Sequence, residues 1–274
     1  MLLAVTADTF TDPWTTASSV VVLQHGFCRN HRFWDGWVPY LARRHRVLRP
    51  DLPGCGDSQD VSAAEMDLAD LAGVLASTLR AHADGPVHYV GESLGGLLGV
   101  YLAATEPQLV ASLSLISTPL WIDSVVTSSQ SLGEPSWADA VRKLGLRRWW
   151  IESRARMRGA AELAAPSPSD EWAREQAAMV SPDAAVRLVE IIEASDVREL
   201  ARDVKQPVRI LVPERSRYAN RPDQLGYYGH FANASVDVIP GTNHEMYTES
   251  CDRIAPVIAG FIDDVGAEGD DGHD

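Results

Sequence analysis

Six short apolar runs alternate with helical patterns along most of this chain, and that alternation leaves few folds open. Val20–Gln24, His45–Arg49, Val87–Val90, Leu113–Ile116, Val208–Val212 and Val236–Ile239 are each bounded by Gly, Pro or a polar cluster and read as strands. Helices fall between them. Ser62 with Glu65 has capping-box spacing, and Leu68, Leu71, Leu75 and Leu79 then recur on one face. Leu94–Thr105 is helical and stops at Pro107, and Cys251–Val265 closes the chain with Ile254, Ile258 and Ile262 in its apolar stripe. Strands alternating with helices predict an α/β fold whose mostly parallel sheet is covered on both faces.

From about Leu120 to Leu200 the rhythm breaks. The stretch shows no convincing strand, and Ser181-Pro-Asp-Ala184 is a strong helix start, with Ser at the cap and Pro in the first turn. An all-helical insertion in such a fold reads as a lid. Its tryptophans, Trp121, Trp137, Trp149, Trp150 and Trp172, together with Met157 and Met179, are expected to pack the lid on itself. Some should line an apolar cavity.

Gly91-Glu92-Ser93-Leu94-Gly95 stands between the third strand and the helix after it. Gly-x-Ser-x-Gly in that setting is the signature of a nucleophile elbow. The turn is too tight for large side chains two residues either side of the serine. It forces Ser93 into strained backbone geometry with its hydroxyl at the mouth of the sheet, and the following helix aims its amide end at the same spot. A nucleophilic serine needs a base. Gly241-Thr-Asn-His244 follows the last strand, so His244 sits at the sheet edge where Ser93 emerges. An oxyanion needs donors. His25-Gly26-Phe27 follows the first strand, and the backbone N–H groups of Phe27 and Leu94 are the candidates; His25 orders the loop. Cys28 and Cys55 should rim the site as small packed residues, since no neighbouring base is identifiable, and Glu92 is assigned no chemistry.

The 274 residues suffice for a large core, and the formal net charge of −14 argues against nucleic-acid binding, which needs clustered Lys and Arg. No apolar run is long enough to cross a bilayer, and Met1–Val5 has no basic region ahead of its apolar residues. Three cysteines fit neither a disulfide framework nor a zinc site. A cytoplasmic protein without membrane insertion, metal or cofactor is expected. The sequence leaves open whether it works alone or as a homodimer. Residues 266–274, rich in Asp, Glu and Gly, read as a disordered acidic tail.

Taken together, His25-Gly-Phe27, Arg49-Pro-Asp-Leu-Pro-Gly-Cys-Gly-Asp-Ser58, the Ser93 elbow and the His244 loop resemble, in order, the α/β-hydrolase fold with a helical cap. The resemblance implies a core of residues 1–119 and 201–265 with a cap of 120–200. It also implies an esterase, lactonase or thioesterase activity on a small hydrophobic substrate. Epoxide hydrolases and haloalkane dehalogenases of that family carry an aspartate at the elbow, and Ser93 argues against both. Carbon–carbon bond hydrolases usually carry Trp just after the histidine, where this chain has Glu245 and Met246.

The resemblance fails at the third member of a triad. The family's acid usually follows the strand after the lid, where this chain reads Val212-Pro-Glu-Arg-Ser216, so the position holds Ser216. The other familiar place, Ile116-Ser-Thr-Pro119, also lacks a carboxylate. Three accounts stand. Glu214 or Asp123 takes over; Ser216 orients His244 through a neutral hydrogen bond, leaving a dyad; or the scaffold has turned to ligand binding or to lyase or perhydrolase chemistry.

Overall fold

The computed structural model describes residues 1–10, 14, 19–158 and 168–270, apart from the side chains of residues 157, 158 and 268–270. Met157 as a packing side chain and residues 271–274 of the acidic tail therefore lie outside the described residues. The strands are β1 (Val5–Asp8), β2 (Val20–Gln24), β3 (Arg46–Pro50), β4 (Val87–Glu92), β5 (Val110–Ile116), β6 (Val208–Pro213) and β7 (Ala234–Ile239). They form one seven-stranded sheet in the order β1-β3-β2-β4-β5-β6-β7. Every pairing is parallel except that of β1 with β3. The central strands read as unbroken apolar runs because both their faces are covered, and Val21, Val22, Tyr89, Leu113 and Ile210 are fully buried.

Before residue 120 the α-helices are α1 (Val38–Leu41), α2 (Leu68–His82) and α3 (Leu94–Thr105). Between residues 120 and 200 lie α4 (Ser124–Gln130), α5 (Trp137–Leu144), α6 (Leu146–Arg158), α7 (Pro168–Ala177) and α8 (Pro182–Ala194). After it come α9 (Pro222–Tyr228), α10 (Met246–Glu249) and α11 (Cys251–Asp270). Helix α2 packs with α3, and α1 with α11. Leu71, Leu75 and Leu79 bury the inner stripe of α2, and burial of each such side chain contributes roughly 1.5–3 kcal/mol. Helix α8 starts as its sequence predicts, with the Ser181 side chain accepting from the Ala184 amide.

Three local expectations are corrected. The capping box of α2 is formed by Asp67 and Asp70 rather than Ser62 and Glu65. The Ser62 hydroxyl accepts from the Ala64 amide instead, a turn contact short of the helix. Strand β1 was not legible: it has four residues, two of them polar, and pairs antiparallel along β3. Helix α11 runs through Asp270 into the stretch expected to be disordered, because extending an established helix adds a hydrogen bond for each residue fixed.

Between residues 120 and 200, strand-like pairing among the described residues is confined to two isolated bridges, Trp121 with Asp196 and Cys55 with Val180. The helical stretch is tied to the core. The Gly56 amide donates to the Met179 carbonyl at 2.8 Å and the Ser181 amide to the Gly54 carbonyl at 2.8 Å. Arg187 Nε donates to the Met66 carbonyl at 2.8 Å. Among the described residues no helix is long and apolar enough to cross a membrane.

Candidate active site

Because β2, β4, β6 and β7 run parallel, the segments after their C-terminal ends gather at one edge of the sheet. That edge carries Gly26–Arg29, Ser93, Glu214–Tyr218 and Thr242–Glu245. Phe27–Arg29, Ser93, Arg215–Tyr218 and Asn243–Glu245 meet, with residues of α4, α5, α6 and α8, around a cavity of about 170 Å³.

Ser93 has φ 51° and ψ −115°, a strained conformation for a residue with a side chain, costing about 1–3 kcal/mol. The glycines allow it. A Cβ on Gly91 would lie 2.4 Å from the Gly95 carbonyl oxygen, and one on Gly95 would lie 2.4 Å from that of Gln24. The amides of Gly96 and Leu97 turn inward to the Ser93 carbonyl at 2.9 and 3.1 Å. The amides of Phe27 and Leu94 make no backbone hydrogen bond among the described residues, and both residues line the cavity with Ser93. His25 is fully buried; its Nδ1 donates to the Gly26 carbonyl at 2.8 Å and its Nε2 accepts from the Leu52 amide at 3.0 Å. It orders the Gly26–Phe27 turn as a neutral imidazole, its pKa lowered by burial against the pull of Asp51.

His244 lies between β7 and α10, on a loop tied to its neighbour by the Arg215 amide, which donates to the Thr242 carbonyl at 2.9 Å. Its ring packs edge-on against Tyr218, centroids 4.9 Å apart. Nε2 is 3.4 Å from Oε1 of Glu92, and Nδ1 is buried with no hydrogen-bond partner among the described residues. Burial pushes the imidazole down to about 4; Glu245 pulls it up, and Arg29 and Arg154 push it down. The His244 imidazole is therefore neutral throughout the physiological range.

The three candidates for its partner are engaged elsewhere. Glu214 accepts from the Gly241 amide at 2.8 Å. Asp123 caps α4 through the amides of Val125 and Val126, both at 3.0 Å, and pairs with Arg221 at 2.5 Å. Ser216 accepts from the amides of Tyr218 at 3.2 Å and Ala219 at 3.1 Å. It lines the cavity with His244 without bonding to its ring.

Sequence reasoning missed the buried charges behind the site. Glu245 pairs with Arg29, and with Arg154 at 2.8 Å. Arg29 Nε also donates to the Tyr247 hydroxyl at 3.1 Å. Burial raises the Glu245 carboxyl, but the two arginines outweigh it and hold the group at about 2. Glu92 is only 2% exposed, and burial pushes its carboxyl up to about 8 against the pull of Arg29. The one available signal was an acidic residue ending an otherwise apolar strand.

Cys28 lines the cavity, but burial pushes its thiol up to about 11, so it carries no thiolate at neutral pH. Aromatic rings form much of the wall. Phe27 meets Trp137 and Trp149 edge-on at 5.6 Å each, and those two tryptophans stack at 5.5 Å. For a cation, the available group is His31, Asp51 and Asp57, whose ligand atoms lie within 4.8 Å of one another. Asp51 is already bonded there, accepting from the His31 amide at 2.7 Å, His31 Nδ1 at 2.8 Å and the Asp57 amide at 2.8 Å.

A family model for the alpha/beta hydrolase fold matches residues 19–247. The chain belongs to the α/β-hydrolase family. The expectations of this fold and of a hydrolytic enzyme are thereby met. A pimeloyl-[acyl-carrier protein] methyl ester esterase of Methylococcus capsulatus is 31% identical to the α/β-hydrolase described here, over 75% of this chain and 79% of that one. A hydrolase from Pseudomonas aeruginosa superposes with a TM-score of 0.80 at 21% identity, covering 95% of this chain and 94% of the other. The enol-lactonase of Burkholderia xenovorans superposes at 0.71 with 22% identity, over 95% and 96% of the two chains. At such identities the structural likeness concerns the fold alone.

Proposed function

We propose that this α/β-hydrolase cleaves a carboxylic ester with an apolar acyl group, through an acyl-enzyme on Ser93. The observation that carries the reading is one small cavity lined by the strained serine, a neutral histidine and the two unbonded amides.

As the Ser93 Oγ attacks the acyl carbon, its proton passes to His244, and the carbonyl π electrons move onto the oxygen. The amides of Phe27 and Leu94, the latter at the N-terminus of α3, hold that oxyanion. Collapse of the intermediate breaks the bond to the alcohol, which leaves with the proton from His244. Water then gives a proton to His244 as its oxygen attacks the acyl carbon. Release of the acid breaks the Oγ–C bond and returns the proton to Oγ.

Residues 120–200 serve as the cap. The walls supplied by Trp137, Trp149 and Trp150 favour an apolar acyl chain over a sugar or a phosphate. A small alcohol such as methanol as leaving group agrees with the activity named for the Methylococcus relative.

The test is labelling with a serine-directed fluorophosphonate, together with turnover of p-nitrophenyl butyrate by the wild type, Ser93→Ala and His244→Ala. Labelling and turnover should disappear in Ser93→Ala. Persistence of either removes Ser93 from the mechanism.

A further inference from the structure

The acid that usually completes such a site sits against the histidine nitrogen facing away from the serine. Here the loop where it would stand carries Ser216, and among the described residues no carboxylate lies within ion-pair distance of His244 Nδ1. Among the described residues one carboxyl does lie within ion-pair distance of the imidazole. Glu92, the residue before the nucleophile, brings Oε1 to 3.4 Å from Nε2.

That placement is built into the backbone. Glu92 is the last residue of β4, and its carboxyl is buried beside the turn that follows β2. A Cβ on Gly26 would stand 2.4 Å from Glu92 Oε2, so only glycine leaves room for the carboxyl there. The Gly26 backbone pulls the carboxyl's pKa down, against the effect of burial. A carboxyl kept in an apolar core costs stability unless a specific partner engages it.

We infer that Glu92 is the acidic partner of His244: its carboxylate, supplied from the nucleophile's own strand, stabilises the imidazolium that forms when Ser93 gives up its proton. Glu92 is thus a positioning residue acting through His244. The inference rests on the proposed roles of Ser93 and His244. The proton still passes from Oγ to His244 and on to the leaving alcohol, and Glu92 enters and leaves each cycle ionised.

The charge state of Glu92 then controls the rate. A protonated Glu92 has no charge to set against the imidazolium, whereas an ionised one does. The groups facing it from the other elements are Arg29 after β2 and His244, Glu245 and Tyr247 after β7. Across pH 6 to 9.5 these hold their charge. His244 titrates at about 4 and Glu245 at about 2, while Arg29 and Tyr247 are both raised well above their ordinary values. Nearby Cys28 titrates at about 11. Glu92, pushed up to about 8, is the member of this set that changes within the window. Its acid form is the weaker catalyst, so activity climbs as the proton leaves.

The experiment is a kcat/KM profile from pH 6 to 9.5 on p-nitrophenyl butyrate for the wild type, Glu92→Gln and Glu92→Asp, with fluorophosphonate labelling of each. The wild type should rise through about pH 8. Glu92→Gln should match it within a few-fold at pH 6, where both are neutral, and lack the rise. At pH 9 it should fall about 10- to 100-fold below, the equivalent of one to two pKa units of imidazolium stabilisation, mainly in kcat. Glu92→Asp should keep a smaller rise. A Glu92→Gln profile equal to wild type overturns the inference, as does equal loss at pH 6 and pH 9 in a variant that melts and labels normally. If Glu92→Gln does not fold, Glu92→Asp decides: an unchanged rate and profile overturns the inference. These results are separable from failure of the serine mechanism, which would show as activity surviving in Ser93→Ala.

Discussion

The two halves of the site are built by different rules. On the nucleophile side, between β2, β4 and α3, the strained angle of Ser93 and the need for Gly91 arise within the turn itself, Gly95 is kept small by the Gln24 carbonyl of the neighbouring strand, and the turn is closed by hydrogen bonds. On the histidine side, between β6 and α10, the imidazole keeps a bare nitrogen, and the nearby carboxylates of Glu214 and Glu245 are bonded to other groups. A turn that must be tight can be specified by neighbours in sequence. A charge partner is set by what other strands bring, so it can change place while the turn stays.

The widest break in this comparison comes from removing its two centres. Ser93→Ala and His244→Ala should each lower kcat/KM by at least ~10³-fold, and the double variant should be scarcely worse, because the pair acts as a unit. Steady-state kinetics checks this; additive losses would mean that the two sides do not cooperate.

Next in size is the charge cluster behind the histidine. Glu245→Ala leaves the buried Arg29 without its carboxylate and removes one of the two carboxylates paired with Arg154, and should cost about 3–5 kcal/mol in urea unfolding. With the Glu245 carboxyl held at about 2, its stabilising contribution is fully present above the unfolded value near 4.5. It is lost as pH falls toward 2, so the destabilisation should persist unchanged from pH 6 to pH 9.

Glu92 should show the opposite sign. Between 4.5 and about 8 the folded protein keeps a proton that the unfolded chain has lost, so stability declines as pH rises through that window. Glu92→Gln should therefore be more stable than wild type at pH 8.5 by several kcal/mol, with the gap closing near pH 4.5. Thermal melts at the two pH values check it.

The smallest expected effect sharpens the comparison by repairing the histidine side. Ser216→Asp restores a carboxylate at the position the family's pattern assigns to the acid. It should raise kcat/KM at pH 7 about tenfold, the value of one pKa unit, and flatten the alkaline rise. A pH–rate profile of the variant reads both.

The cores of six strands, the start of α8 at Ser181 and the end of α3 before Pro107 could all be read from the chain, since each depends on side chains within one turn or pleat. Strand β1 could not: alone its four residues show no pattern, and pairing along β3 makes it a strand. The Ser62–Glu65 spacing was as good as that of Asp67 and Asp70; the buried Leu71–Leu75–Leu79 stripe begins after the latter pair, and packing placed the helix start there. Glu92 and Glu245 were visible as letters without a role, because a carboxyl's chemistry depends on its burial and on the charges around it.

By itself, then, the sequence determined the sheet, the strained serine and the edge at which His244 emerges, all consequences of short-range sterics and parallel strand direction. Tertiary structure alone decided which carboxyl faces the imidazole, which arginines neutralise Glu245 and which aromatic rings close the cavity. Electrostatic energy in a buried site depends on distance and desolvation between groups far apart in the chain, and neither is encoded locally.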